Sequence, residues 1–169
     1  MKKLKVLFFL LISILFSACH DGTIGGSGNI GYNVPALSTF TIEFNYYSTN
    51  EKTESFILKS KEIPNYDYNL IKIEERVFLA ISIQDVLTKK KANIHQECVI
   101  YGENKTGVSN TKYSIDSLDD LYIAIYENDN GPWITIDNAN APAILINKSE
   151  DSTTFVKNLT KFNAVLTTE

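Results

Sequence analysis

The sequence predicts an all-β protein, an antiparallel β-sandwich with one or two short helical additions. Apolar and polar residues alternate with a period of two in about nine short segments, which is the pattern of half-buried strands. Turn residues separate these segments, and helical spacing of apolar residues occurs in only two places. The chain has 169 residues, 44% of them hydrophobic. A chain of this size and composition can form one domain with its own core.

The first predicted strand shows the alternation most clearly, because Phe40, Ile42, Phe44 and Tyr46 share one face. Eight further strands are predicted at residues 55–60, 77–83, 94–101, 121–127, 133–137, 143–147, 153–157 and 161–166. Many short strands separated by turns are typical of antiparallel sandwiches and barrels. The dipeptide of Asn130 and Gly131 lies between two of them and predicts a hairpin.

Two segments have helical periodicity. Leu70, Ile73 and Val77 recur at helical spacing, so a short helix is predicted over residues 69–76. A second helix is predicted over residues 84–90.

The N-terminus has the pattern of a processed secretion signal. Three lysines are followed by an apolar run over residues 6–16, which is too short to span a bilayer. Small residues then precede Cys19, and residues 15–19 resemble the lipobox of bacterial lipoproteins. That resemblance implies cleavage after residue 18 and acylation of Cys19, with palmitate among the expected chains. The alternative is an ordinary signal peptide with a cysteine there by chance.

A lipobox also has consequences for location and domain organisation. His20 follows the cysteine, whereas Asp at that position favours inner-membrane retention in lipoproteins of the enteric type. We therefore expect a lipid-anchored protein of the outer membrane that faces the periplasm. Five of the eight glycines lie between residues 22 and 31, so residues 19–38 are predicted to be a lipidated, flexible tether. The sandwich domain is then predicted to comprise residues 39–169.

Composition argues against several functional classes. The 20 acidic residues outnumber the 16 basic residues, so a nucleic-acid partner is not expected. His20 and His95 are the only histidines, and neither is placed to act as a catalytic base, so we expect no enzyme, no metal site and no cofactor. Cys98 is in phase with Ile94 and Ile100 and is predicted to be a small core residue.

One stretch resembles a known family. Residues 114–133 contain an apolar strand that ends at an aromatic residue, then an acidic turn and Trp133. This resembles the late strand pair of the type VI secretion outer-membrane lipoproteins, TssJ. Ile134 stands where the family commonly has arginine, and residues 55–60 replace a proline-rich strand of the family.

The resemblance implies a transthyretin-like sandwich and a structural role. Such a protein is a lipid-anchored subunit of an envelope-spanning bacterial secretion complex. It docks the periplasmic domain of an inner-membrane secretion component to the outer membrane. The alternative function is that of a periplasmic binding lipoprotein, such as an inhibitor, an immunity protein or a ligand carrier.

The resemblance also implies where the partner would bind. The loop between the first two strands, residues 47–54, would contact the partner protein. Tyr47 would supply apolar area, and Asn50, Glu51 and Glu54 would supply polar contacts at the rim. The alternative is a solvated hairpin turn without a partner.

Overall fold

A computed structural model describes residues 31–48, 51–92, 98–104, 107–128, 131–136 and 143–166. It confirms the all-β sandwich. The strands in these residues are β1 (Thr41–Ser48), β2 (Glu51–Lys59), β3 (Asn69–Ile73), β4 (Arg76–Ser82), β5 (Cys98–Asn104), β6 (Gly107–Ser114), β7 (Leu121–Asn128), β8 (Ile134–Thr135), β9 (Ile144–Asn147), β10 (Val156–Lys157) and β11 (Leu159–Leu166). The helices in the described residues are α1 (Ile83–Lys90) and three 3-10 helices, Ser60–Asn65, Ile115–Asp120 and Ser152–Thr154.

The strands form two sheets. The first sheet has the order β2-β1-β11-β5-β6, and the second has the order β10-β9-β7-β4-β3, with β8 also paired to β7. The β1–β11 pair is parallel, and the other pairs of described strands are antiparallel. A parallel pair is possible here because β11 reaches the first sheet from the second sheet rather than through a hairpin.

The core lies between the two sheets. Ile42 and Phe44 of β1 and Phe162 of β11 join Leu79 and Ile123 of the second sheet in one buried cluster. Phe44 stacks on Phe56 and contacts Phe162, with ring centroids 4.7 and 5.0 Å away. Since β1 and β11 contribute alternate residues to this cluster, their remaining residues lie on the outer face of the first sheet.

The hairpin predicted around Asn130 and Gly131 is consistent with the pairing of β7 and β8. Tyr126 faces Thr135, and Glu127 faces Ile134, in antiparallel register. Asn130 itself lies outside the described residues. Trp133, which comes directly before β8, packs against the core.

The helix predicted over residues 69–76 is wrong. This segment forms β3 and the turn into β4, and Glu74 in that turn has a φ of 55°. Ile71 and Ile73 lie on one buried face, whereas Leu70 is 58% exposed. The helical spacing of Leu70, Ile73 and Val77 is a coincidence. Burial in this segment has the strand period of two, because Ile71 and Ile73 are buried and the residues beside them are exposed.

Two other strand predictions need correction. Residues 153 and 154 of the predicted strand 153–157 belong to the 3-10 helix Ser152–Thr154, and only Val156–Lys157 forms a strand. Strand β6 was not predicted, because its sequence is mostly polar and lacks a clear alternation. The helix predicted over residues 84–90 is confirmed as α1, and the side chain of Ser82 caps its N-terminus by accepting a hydrogen bond from the Asp85 N–H.

Residues 31–38 are not free tether. Val34 and Leu37 pack against the core, and Tyr32 contacts the Trp133 ring edge to face at 5.8 Å. The hydroxyl of Tyr126 donates a hydrogen bond of 3.1 Å to the carbonyl oxygen of Pro35. We call residues 31–39 the strap. The folded domain therefore includes residues 31–38, which the sequence predicts to be part of the tether.

Candidate functional site

The structure describes three of the predicted partner-binding residues, namely Tyr47, Glu51 and Glu54, whereas Asn50 and the predicted lipidation site Cys19 lie outside the described residues. The predicted loop over residues 47–54 is shorter than expected. β1 extends to Ser48 and β2 begins at Glu51, and these two residues face each other. The interstrand hydrogen bonds therefore hold most of the loop in a fixed conformation, which favours a preorganised binding surface.

Tyr47 and Glu54 lie on opposite sides of the β1–β2 hairpin. Tyr47 faces Lys52 on the outer side, whereas Glu54 faces Tyr46, which packs against the core. A register shift between Tyr46 and Tyr47 produces this arrangement. A partner that contacts both Tyr47 and Glu54 must therefore grip the end of the hairpin rather than lie flat on one face.

The pairing of β1 with the C-terminal strand reveals a feature that the sequence analysis missed. Tyr47 faces Val165 of β11, and Val165 faces Val99 of β5. The three apolar side chains form a row across the outer face, and each is partly exposed. We call this row the docking strip. It lies at the end of the sheet where the hairpin closes.

Polar residues border the docking strip. In the next row, Asn45 donates a 3.0 Å hydrogen bond to Asn163, which donates one of 2.7 Å to Glu103. Lys52 pairs with Glu43 at 2.8 Å, and this contact is the main reason that the pKa of Glu43 is lowered. Such exposed pairs contribute little stability, but they orient side chains around an apolar patch.

Glu51 and Glu54 give the hairpin end an acidic character. Both are exposed, and neither makes an ion pair with another residue that the structure describes. The hairpin end therefore offers the apolar docking strip on its outer side and negative charge on its opposite side, which suits a partner that grips this end with apolar and basic residues.

Cys98 is a buried core residue, as predicted, and is 3% exposed. Its thiol is hydrogen-bonded to the hydroxyl of Tyr46, and burial raises the pKa of the thiol. A buried, neutral thiol is a poor nucleophile. Cys98 therefore has a structural role, as a core residue at the first position of β5.

The structure also contains a cleft at the opposite end of β1. The cleft has a volume of about 600 Å3 and lies between the strap and the 3-10 helix Ser60–Asn65. Its lining consists of Val34, Pro35, Ala36, Leu37, Thr39, Ser60, Lys61, Pro64, Tyr68 and Tyr126. This volume is in the range of small-molecule sites. No sequence pattern signals the cleft, because its walls come from segments that are distant along the chain.

Two tyrosines lie side by side in the cleft. The rings of Tyr68 and Tyr126 meet edge to face at 5.8 Å, and their hydroxyls are hydrogen-bonded. Burial is the main reason that the pKa of each tyrosine is raised. Both phenols therefore stay protonated at neutral pH. They bring no charge to the cleft.

The described residues contain no cluster of side chains suited to hold a metal ion. None of the helices in the described part of the chain is long and apolar enough to cross a membrane. No protein family, curated protein or solved structure matches this chain.

Proposed function

We propose that this protein is a lipid-anchored β-sandwich of the bacterial outer membrane that docks a periplasmic protein through the docking strip. The observation that carries the proposal is the partly exposed row of Tyr47, Val165 and Val99 beside the exposed Glu51 and Glu54. Binding energy in protein interfaces concentrates at aromatic residues with apolar neighbours inside a polar rim. Tyr47 fits that role.

The resemblance of residues 114–133 to TssJ supplies the identity of the proposed partner. On that basis the partner is the periplasmic domain of the inner-membrane component of a type VI secretion complex. The transthyretin-like form of the sandwich is part of the same proposal. An acidic hairpin end and a lipobox at Cys19 both agree with a docking subunit that is held at the outer membrane.

We expect Tyr47→Ala to weaken binding of that periplasmic domain by about tenfold or more, because the substitution removes the aromatic centre of the docking strip. The protein is immobilised from residue 19 onward, and dissociation constants are measured by surface plasmon resonance. Glu51→Lys with Glu54→Lys should also weaken binding, by an amount that falls as salt is added.

Leu70→Ala is the matched control, because Leu70 is also an exposed apolar residue but lies on β3 of the other sheet. We expect it to bind like the unaltered protein. Equal binding by Tyr47→Ala and Leu70→Ala would remove the docking strip from the interface. If the unaltered protein does not bind the secretion component, the alternative function as an inhibitor, immunity protein or ligand carrier is favoured.

The lipid anchor has a separate test. Cys19→Ala should abolish incorporation of a labelled fatty acid and release the protein from the membrane fraction, since Cys19 carries the proposed acyl chains. Cys98→Ser should retain the label, because Cys98 is buried in the folded domain. Label that persists in Cys19→Ala would contradict lipidation at this residue.

A further inference from the structure

We propose that the cleft between the strap and the 3-10 helix Ser60–Asn65 binds a fatty acid, with the aliphatic chain inside the cleft and the carboxylate at Lys61. This activity is independent of the docking strip. The two sites lie at opposite ends of β1, and the distance from Thr41 to Tyr47 along an extended strand is about 20 Å.

The walls of the cleft have the chemistry that an aliphatic chain requires. Val34 and Leu37 of the strap face the cleft, as do Pro64 and the aromatic rings of Tyr68 and Tyr126. These groups offer carbon atoms over most of the lining. Burying a methylene group against such a surface contributes about 0.8 kcal/mol. The cleft also has a preformed floor, because Tyr126 is 2% exposed and donates its hydroxyl hydrogen bond to Pro35.

The charge of the lining indicates the sign of the head group. Lys61 is the one charged residue among the residues that line the cleft, and it is exposed. It makes no ion pair with another residue in the described ranges. The chain as a whole is acidic, with a formal net charge of -4. A single cation at the mouth of an apolar cleft therefore selects a ligand with one negative head group.

The test uses the chain from residue 19 with Cys19→Ser, so that no attached lipid competes for the cleft. Laurate is titrated below its micelle concentration, and binding is measured by isothermal titration calorimetry. We expect one laurate per chain. Lys61→Gln should weaken laurate binding by about tenfold or more while leaving the binding of dodecanol unchanged, because only laurate carries a charge.

Ala36→Trp tests the cleft itself. Ala36 is exposed on the cleft wall, so a larger side chain there should fill the cleft without disturbing the core. We expect this variant to lose both laurate and dodecanol. Lys72→Gln is the matched control, since Lys72 is an exposed lysine on β3 outside the lining, and it should bind like the parent chain.

The remaining outcomes would overturn the proposal. Laurate binding that survives Ala36→Trp would place the ligand elsewhere, and equal losses of laurate and dodecanol in Lys61→Gln would remove the role of the charge. No laurate binding, with capture of the protein by phosphatidylglycerol vesicles, would show that Lys61 meets a membrane surface instead of a fatty acid.

Discussion

Gly102→Val should lower the free energy of unfolding by about 3 kcal/mol, which is at the upper end of the usual cost of overpacking a core. A Cβ atom at Gly102 would lie 2.9 and 3.0 Å from the two methyl groups of Val156 and 3.1 Å from Cδ2 of Leu145. Both neighbours are fully or almost fully buried, and the branched side chain of Val156 has little rotational freedom. Urea denaturation followed by circular dichroism measures the change.

The reason for this close approach is the corner at which the two sheets meet. The chain leaves the second sheet at β10 and enters the first sheet at β11, and Asn158 between them has a φ of 58°. Leu159 pairs with Asn104 in the first sheet, while its N–H donates to the carbonyl oxygen of Ala143, which comes directly before β9 of the second sheet. Gly102 allows β5 to lie against this corner.

A second substitution separates overpacking from other effects of losing glycine. Gly102→Ala adds only the Cβ atom and should also lower the free energy of unfolding. Val156→Ala should restore part of that loss, because it removes the methyl groups that the new Cβ meets. If the two substitutions are additive, the close contact with Val156 is not the cause of the destabilisation.

The parts of the fold that were predicted from the sequence share a strong local pattern. In β1 apolar and polar residues alternate, whereas β4 and β7 are apolar runs that are buried on both faces. The strands that were missed or misassigned lie at sheet edges. The apolar Leu70 of β3 is exposed, so the apolar residues of this segment also fit helical spacing, and β6 is an edge strand with a polar sequence that lacks the alternation of a half-buried strand.

The candidate sites were harder to predict, because they depend on contacts between distant segments. Tyr47 was singled out, but its neighbour Val165 is 118 residues away along the chain, and the pairing of the first strand with the last has no local signal. The strap is rich in turn-forming residues, and this composition favours a tether. Its contacts with Trp133 and Tyr126 hold it on the domain.

Two hydrogen bonds join Asn45 to Asn163 and Asn163 to Glu103, and we call these three residues the ladder. The other large effect is expected from its disruption. Asn163→Ala should cost about 2–3 kcal/mol of unfolding free energy, because it removes two hydrogen bonds and leaves buried polar groups without their partner. Asn163 is 5% exposed and Asn45 is 4% exposed, so water cannot easily replace the lost bonds. Urea denaturation of the single variant measures this cost.

A double-mutant cycle with Asn45→Ala tests whether the ladder acts as a unit. Asn45→Ala alone should cost less, because Asn163 keeps its 2.7 Å hydrogen bond to Glu103. Once Asn163 is replaced, the further loss of Asn45 should cost little, since its amide has already lost its acceptor. The expected coupling is about 1 kcal/mol or more. Additive effects would mean that the two asparagines stabilise β1 and β11 independently. In that case, the hydrogen bond between them would not help to hold Tyr47 against Val165 in the docking strip.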